Sequence, residues 1–279
     1  MKSAPILLLA ALAGSASASC PSSLPLQGAL TIATCPPMKE GCVPAEQALH
    51  SYMQALPDAG DEVLRIGAHG SPWHLYGADY RILGIGQLAG MVRAQGGKIR
   101  RVLLLSSWSA VAPDRQRKAL AQQLAQALGG MPVEGQDGFV WLDGKGGSYT
   151  TRQAASLFAA GPYAVEQGSP VMAALAAGWP AMLEAQFMQQ KEAGALLRAG
   201  VGHEMFSLCP ERALAAFEAA AALAEPVAAY NAAILRLERN ARGDAQAARA
   251  LLQKAAAQGD QPSAALLASL ARNKKPEGK

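Results

Sequence analysis

Shifted against itself by about 35 residues, the C-terminal third of the chain matches itself, and this repetition constrains the fold more than any other feature. Arg212-Ala213-Leu214-Ala215-Ala216-Phe217-Glu218-Ala219-Ala220-Ala221 falls on Ala247-Ala248-Arg249-Ala250-Leu251-Leu252-Gln253-Lys254-Ala255-Ala256. The segments around Ala228 to Leu237 and Ser263 to Ala271 follow at the same offset. A unit of that length with two helical stretches cannot bury its apolar face alone, so neighbouring units must stack. Alanine at the crossings lets two helix backbones approach, while Leu and Phe fill the grooves between hairpins.

The residues within the repeat also carry a family pattern. Ala229-Tyr230-Asn231-Ala232-Ala233-Ile234, then Gly243-Asp244, then Ala247 to Gln258-Gly259-Asp260 resembles a Sel-one-like repeat, the short relative of the tetratricopeptide repeat. Lys254-Ala255-Ala256-Ala257-Gln258-Gly259 fits the helix ending of that family, whereas Ala232-Ala233 stands where Leu-Gly is usual. The resemblance implies a segment, residues 206–273, that scaffolds protein contacts and performs no chemistry.

The other end of the chain reads as an export signal. Lys2 precedes the short apolar run Ile6 to Ala13, and Ala16-Ser17-Ala18 matches the small-residue pattern of a cleavage site. Residues 1–18 are therefore expected to be a signal peptide, the run being too short to span a membrane. Ser17-Ala18-Ser19-Cys20 also approximates a lipid-attachment box, so acylation of Cys20 stands as an alternative. The four cysteines, Cys20, Cys35, Cys42 and Cys209, suggest two disulfides in an oxidising compartment. The turn-rich Cys35 to Cys42 segment can close locally, which would leave Cys20 for Cys209. The spacing matches no zinc pattern, and no metal site is expected.

Between the ends, residues 19–44 read as a Cys-containing arm with one apolar run, Ala29 to Ala33. Residues 45–205 read as an α/β domain. Glu46 to Leu56 has helical spacing, Glu62 to Gly67 alternates like a strand, and Gly86 to Ala94 is amphipathic. Arg101 to Leu105 is the continuous apolar run of a strand covered on both faces. Pro113-Asp114 is expected to open a long helix through Leu128. Pro132 to Gly135 and Gly138 to Leu142 complete a strand-helix-strand-helix-strand order that predicts a parallel sheet. Thr151 to Val201 is Ala-rich with Pro and Gly breaks. The fold expected is thus an α/β parallel-sheet domain followed by an all-α helical-repeat segment, with residues 274–279 a disordered tail. The basic cluster of Arg272, Lys274, Lys275 and Lys279 lies in or beside that tail; elsewhere charges are interspersed and the net charge is only +4, so a nucleic-acid partner is not indicated.

Chemistry would concentrate at the carboxyl ends of parallel strands, where His69-Gly70 and Ser106-Ser107-Trp108-Ser109-Ala110 both fall. Residues 62–142 resemble the caspase-like (clan CD) cysteine peptidases, which place His-Gly after one strand and a nucleophilic Cys after another. The resemblance puts His69 on the family histidine and Ser107 on the cysteine, so the nucleophile is replaced. A serine needs an aligned base to ionise it; His69 would be that base, with Asp79 or Asp137 as candidates to orient it. No Gly-x-Ser-x-Gly elbow occurs, and Gly84-Ile85-Gly86 lacks the rest of a dinucleotide fingerprint, so no cofactor is expected. His50, His74 and His203 read as structural or packing residues.

These readings converge on an exported, non-catalytic protein-binding protein, a scaffold or regulator acting through C-terminal repeats. Its expected location is periplasmic or secreted, with another protein of the cell envelope as partner and no transmembrane span after cleavage. Two alternatives stand beside it: an exported hydrolase using Ser107 and His69, and a structural envelope lipoprotein held at the outer membrane through Cys20.

Overall fold

The computed structural model describes residues 20, 24, 26–36, 39–156, 164–173 and 180–272. The expected leader and tail lie outside the described residues.

Three strands form the parallel sheet that the sequence predicts: β3 (Val63–Gly67), β7 (Arg101–Leu105) and β8 (Val133–Glu134), in the order β3-β7-β8. The central strand β7 is the uninterrupted apolar run, and Val102 and Leu104 are fully buried on one of its faces. That face carries α2 (Ile85–Ala94) and α3 (Leu120–Ala127), whose Leu88, Val92, Leu120 and Leu124 close a core with β7. Each of these four side chains removes apolar surface worth about 1.5–3 kcal/mol from water.

Helix α3 starts later than Pro113-Asp114 suggests. The Asp114 carboxylate accepts hydrogen bonds from the amides of Gln116 and Arg117, both at 2.8 Å, so the start signal is satisfied in a local turn. The chain continues as bends until Leu120, where the buried positions begin.

Phe139 to Leu142 departs from the expected parallel sheet. As β9 (Phe139–Leu142) it lies between β10 (Ser148–Thr151) and β13 (Val171–Met172), antiparallel to both. A tight turn drives this pairing: the Asp143 carboxylate accepts from the amides of Lys145 and Gly147, each at 2.9 Å, and Gly146 takes φ +76°. Gly138 is needed for the close approach, since a methyl there would lie 2.3 Å from the Thr151 carbonyl oxygen.

The arm is joined to the rest by two small sheets and one disulfide, and a second disulfide closes a loop within it. β1 (Ala29–Thr31) pairs in parallel with β11 (Ala154–Ser156), and β2 (Cys42–Pro44) pairs antiparallel with β12 (Ala164–Glu166). Cys35 is bonded to Cys42, and Cys20 to Cys209 across 189 residues of sequence, with Cα separations of 6.3 and 5.4 Å. Helix α1 (Ala45–Ala55) follows β2 directly. A three-stranded antiparallel ribbon, β4 (His69–Gly70), β5 (Leu75–Tyr76) and β6 (Ile82–Leu83), branches off after β3.

From residue 180 the described chain is a run of helices: α4 (Pro180–Gln190), α5 (Ala193–Met205), α6 (Pro210–Ala222), α7 (Pro226–Arg239), α8 (Asp244–Ala257) and α9 (Gln261–Arg272). Each packs on the next. The hairpins α6–α7 and α8–α9 stand at the offset read in the sequence, and their contacts are made by fully buried alanines such as Ala213, Ala220, Ala232, Ala248 and Ala255. Gly200 of α5 allows the Phe217 ring of α6 to lie on its backbone, where a methyl would stand 2.4 Å from the ring. Asn240, in the left-handed conformation at φ +51°, ends α7, and Asp244 then binds Arg239 at 2.6 Å and Arg236 at 2.9 Å across the turn. No described helix is long and apolar enough to cross a membrane.

Replacing Gly138 with Ala is expected to force β9 and β10 apart and lower stability by about 1–3 kcal/mol. The shift should appear as a reduced urea midpoint; an unchanged midpoint would show that the hairpin tolerates the methyl.

Candidate functional site

The parallel strands β3 and β7 end at one place, and a cavity of about 420 Å³ opens there. Gly67, Ala68 and His69 line it from the end of β3, Leu105 from β7, and Leu49 and Met53 from α1. Glu46 and His50, one turn apart on α1, are exposed at its rim. His69 is held by stacking on Tyr80, with ring centroids 6.2 Å apart and planes 18° apart. Burial lowers its pKa, and the charge of Glu46 only partly offsets this, so the ring is neutral near pH 7.

The serine loop after β7 is turned inward. Ser107 is buried, and its Oγ accepts a hydrogen bond from the Val140 amide at 3.0 Å. Ser109 Oγ donates to the Ser106 carbonyl at 2.7 Å and accepts from the Gln136 amide at 3.0 Å. Trp108 lies between them at φ +62°, its ring buried edge-on against Phe139 at 5.3 Å. These hydroxyls bind the loop to β9 and to the segment that leads into it. No hydrogen bond joins Ser107 to His69 among the described residues, and Ser107 does not line the cavity. The hydroxyl beside the His69-Gly70 turn belongs to Ser106: a methyl on Gly70 would stand 2.0 Å from its Oγ. Asp79 pairs with Arg81 at 3.3 Å, and Asp137 binds Thr150 and Arg152, so neither carboxylate orients His69.

A second constellation lies where the β4–β6 ribbon meets the helices. Glu204 of α5 is completely buried in an apolar helix and is surrounded by donors. Its carboxylate receives hydrogen bonds from His74 Nδ1 at 2.7 Å, Tyr76 Oη at 2.7 Å and Ser71 Oγ at 2.5 Å. The other ring nitrogen, His74 Nε2, binds Glu238 of α7 at 3.0 Å, and Glu238 also reaches Arg117 at 3.3 Å. Burial pulls the His74 pKa down, but the charge and hydrogen bond of Glu204, joined by Glu238, outweigh it and raise the value to about 10. Burial likewise raises Glu204, and the charge of His74 with the three hydrogen bonds more than reverses this, leaving its pKa lowered. Tyr76 is pushed well above its ordinary value by burial and by Glu204, so it remains a donor. The pair is an imidazolium and a carboxylate out of water. The sequence reading gave His74 only a packing role. The available signal was Glu204 itself, an acid flanked by residues that helical packing buries, which requires a partner.

The ribbon is also held by its main chain. Asn231 of α7 accepts from the Ile82 amide at 2.9 Å and donates to the Tyr80 carbonyl at 2.8 Å. Between those residues, Arg81 makes a two-pronged pair with Asp260, at 2.7 and 3.1 Å, and lies over the Tyr230 ring at 4.9 Å. Asp260 caps α9 through the Ser263 amide at 2.9 Å. Burial raises the Asp260 pKa, and the bond from Arg81 with those of Ser263 leaves it lowered.

Only Cys20, Cys209 and Glu211 group together as potential metal ligands among the described residues, and both sulfurs are engaged in the disulfide. A family model described as a domain of unknown function (DUF8616) matches residues 38–150. That stretch holds the parallel sheet, the ribbon and His69, and ends before the run of helices that starts at residue 180. No curated protein and no solved structure matches the chain.

The His74–Glu204 pair predicts a stability profile with two limbs. A raised histidine contributes fully below its unfolded value of 6.5 and loses that contribution as pH climbs through about 10. A lowered carboxylate contributes fully above 4.5 and loses it as pH falls through its folded value. Stability from this pair should therefore be greatest between 4.5 and 6.5. His74→Gln should cost about 3–5 kcal/mol near neutrality by stranding Glu204. The same substitution should flatten the alkaline limb in urea titrations at stepped pH; an identical alkaline slope in the variant would show that His74 is not its source.

Proposed function

We propose that this is an exported, non-catalytic protein-binding protein, a scaffold or regulator that acts through its C-terminal helices read as Sel-one-like repeats. The observation that carries the proposal is the grip of α7 and α9 on Tyr80-Arg81-Ile82. Asn231 binds the main chain on both sides of Arg81, while Tyr230 and Asp260 hold its side chain. Helices with this chemistry hold a polypeptide main chain and a side chain together, here within the same chain, and the outer face of α8 is exposed at Gln246 and Gln253.

Two disulfides support an oxidising compartment outside the cytoplasm, periplasmic or extracellular. The sulfur of Cys20 is used by Cys209, which favours the cleaved and unanchored form over an envelope lipoprotein. The caspase-like reading of the sheet draws support from the β3–α2–β7–α3–β8 unit, with His69 at the end of one strand and the serine loop at the end of the next. In this proposal that unit has lost its chemistry, since the Ser107 hydroxyl is occupied by the Val140 amide.

The test is photo-crosslinking in intact cells from benzoylphenylalanine placed at Gln246 or Gln253, both exposed on α8, with Gln122 on α3 as control. Adducts to a defined envelope protein are expected from α8 and not from α3. Adducts from α3 alone, or none from the helices, would remove the role of the repeats. Labelling of the mature protein by a fluorophosphonate, lost in Ser107→Ala, would establish the hydrolase instead.

A further inference from the structure

The His69 cavity has a use that the binding role of the helices does not absorb. Its volume of about 420 Å³ falls in the range of small-molecule sites, and its position beyond the carboxyl ends of two parallel strands is where such sites form. The walls are Leu49, Met53, Leu105, Val140 and Leu142. Tyr76 contributes only its ring, because its hydroxyl is turned to Glu204.

His69 is the exception within this apolar lining. No hydrogen bond to its ring is made by the described residues, whereas the buried Ser71, His74 and Tyr76 of the same ribbon are all paired. Its ring nitrogens are not sealed from solvent, so a bound molecule can take hydrogen bonds that water otherwise fills. Stacking on Tyr80 fixes the ring plane, so its nitrogens are pre-oriented. A neutral imidazole presents one N–H donor and one acceptor nitrogen. A hydroxyl complements either of them. A carboxylate is disfavoured, because it could use only the N–H, would give up its hydration to an apolar lining and would approach the negative charge of Glu46 at the rim.

We propose that this cavity binds a small, uncharged, mainly apolar molecule through a hydroxyl group hydrogen-bonded to His69. Met53 is the adjustable wall: its methyl carbon lies 2.3 Å from where a β-carbon on Gly67 would stand, so the thioether rests directly on the β3 backbone. Its unbranched chain re-packs around ligands of different outline.

The probe is 4-propylphenol, titrated into the full mature chain and followed by calorimetry and ligand-observed NMR. Saturable binding is expected at sub-millimolar concentration, and 4-propylbenzoate, similar in size but anionic, should bind at least about tenfold more weakly. His69→Leu should weaken the phenol by about tenfold. Ala78→Trp, at an exposed position of the rim, should block entry without disturbing the core. Absence of binding up to the solubility limit overturns the proposal. Equal binding of phenol and benzoate overturns the assigned ligand class, and equal binding by a folded His69→Leu variant overturns the role of His69. Should that variant fail to fold, the wild-type comparison of the two probes and the Ala78→Trp block still decide the matter.

Discussion

The ion pair between His74 and Glu204 joins the β4–β6 ribbon to α5, and the placement of His69, Tyr76 and Tyr80 on that ribbon depends on it. Taking a carboxylate and an imidazolium out of water costs several kcal/mol for each, so such a pair persists only where the remaining hydrogen-bonding capacity is filled. Here Ser71 and Tyr76 complete Glu204, and Glu238 completes His74. Ser71 does this while its Oγ also accepts from the Trp73 and His74 amides, so the turn and the pair fix each other. The second attachment, at Tyr80 to Ile82, leaves the ribbon tied to α5, α7 and the start of α9. His69 precedes the first attachment and stacks on a residue of the second, so its orientation is set from both ends.

What the sequence made readable was whatever had a local cause. The helices α1 and α2 and the strands β3 and β7 show their periodicity within a dozen residues, and the two C-terminal hairpins show theirs by repetition. The Cys35–Cys42 bridge was readable because Pro36, Pro37 and Gly41 bend the chain between its ends. The start of α3 was misplaced because the signal at Pro113-Asp114 is real but ends in a turn. The partner of β9 was misplaced for a different reason. A strand buried on both faces has the same apolar pattern in a parallel sheet as in an antiparallel one, and only the turn at Asp143 to Gly147 selects between them.

The pair itself was beyond such reading. His74 and Glu204 are separated by 130 residues, and neither shows in its own neighbourhood what the other supplies. An acid within a buried helical stretch states that a partner exists, but several histidines and arginines satisfy that requirement equally well on paper. Asn231 and Asp260 show the same limit: their partners, the main chain of Tyr80 and Ile82 for the one and Arg81 for the other, stand 149 to 179 residues earlier in the chain.

The serine loop and His69 share the carboxyl end of the sheet, and a motif reading treats them as one unit. Their hydrogen bonds separate them. Ser107 serves a main-chain amide of β9 and Ser109 one of the segment leading into it, and the left-handed Trp108 between them is held by its buried ring and by its amide on the Gly138 carbonyl at 2.9 Å. Strain of that kind persists where the surroundings over-determine the backbone, and here the surroundings are core packing. His69 has the opposite character, a fixed polar ring without a hydrogen-bond partner among the described residues, facing open volume. A polar group consumed by the fold is explained by the fold. His69 is oriented by the fold and left open to the cavity, whereas the serines are buried away from it, which is why the binding chemistry proposed for this end of the sheet rests on the imidazole.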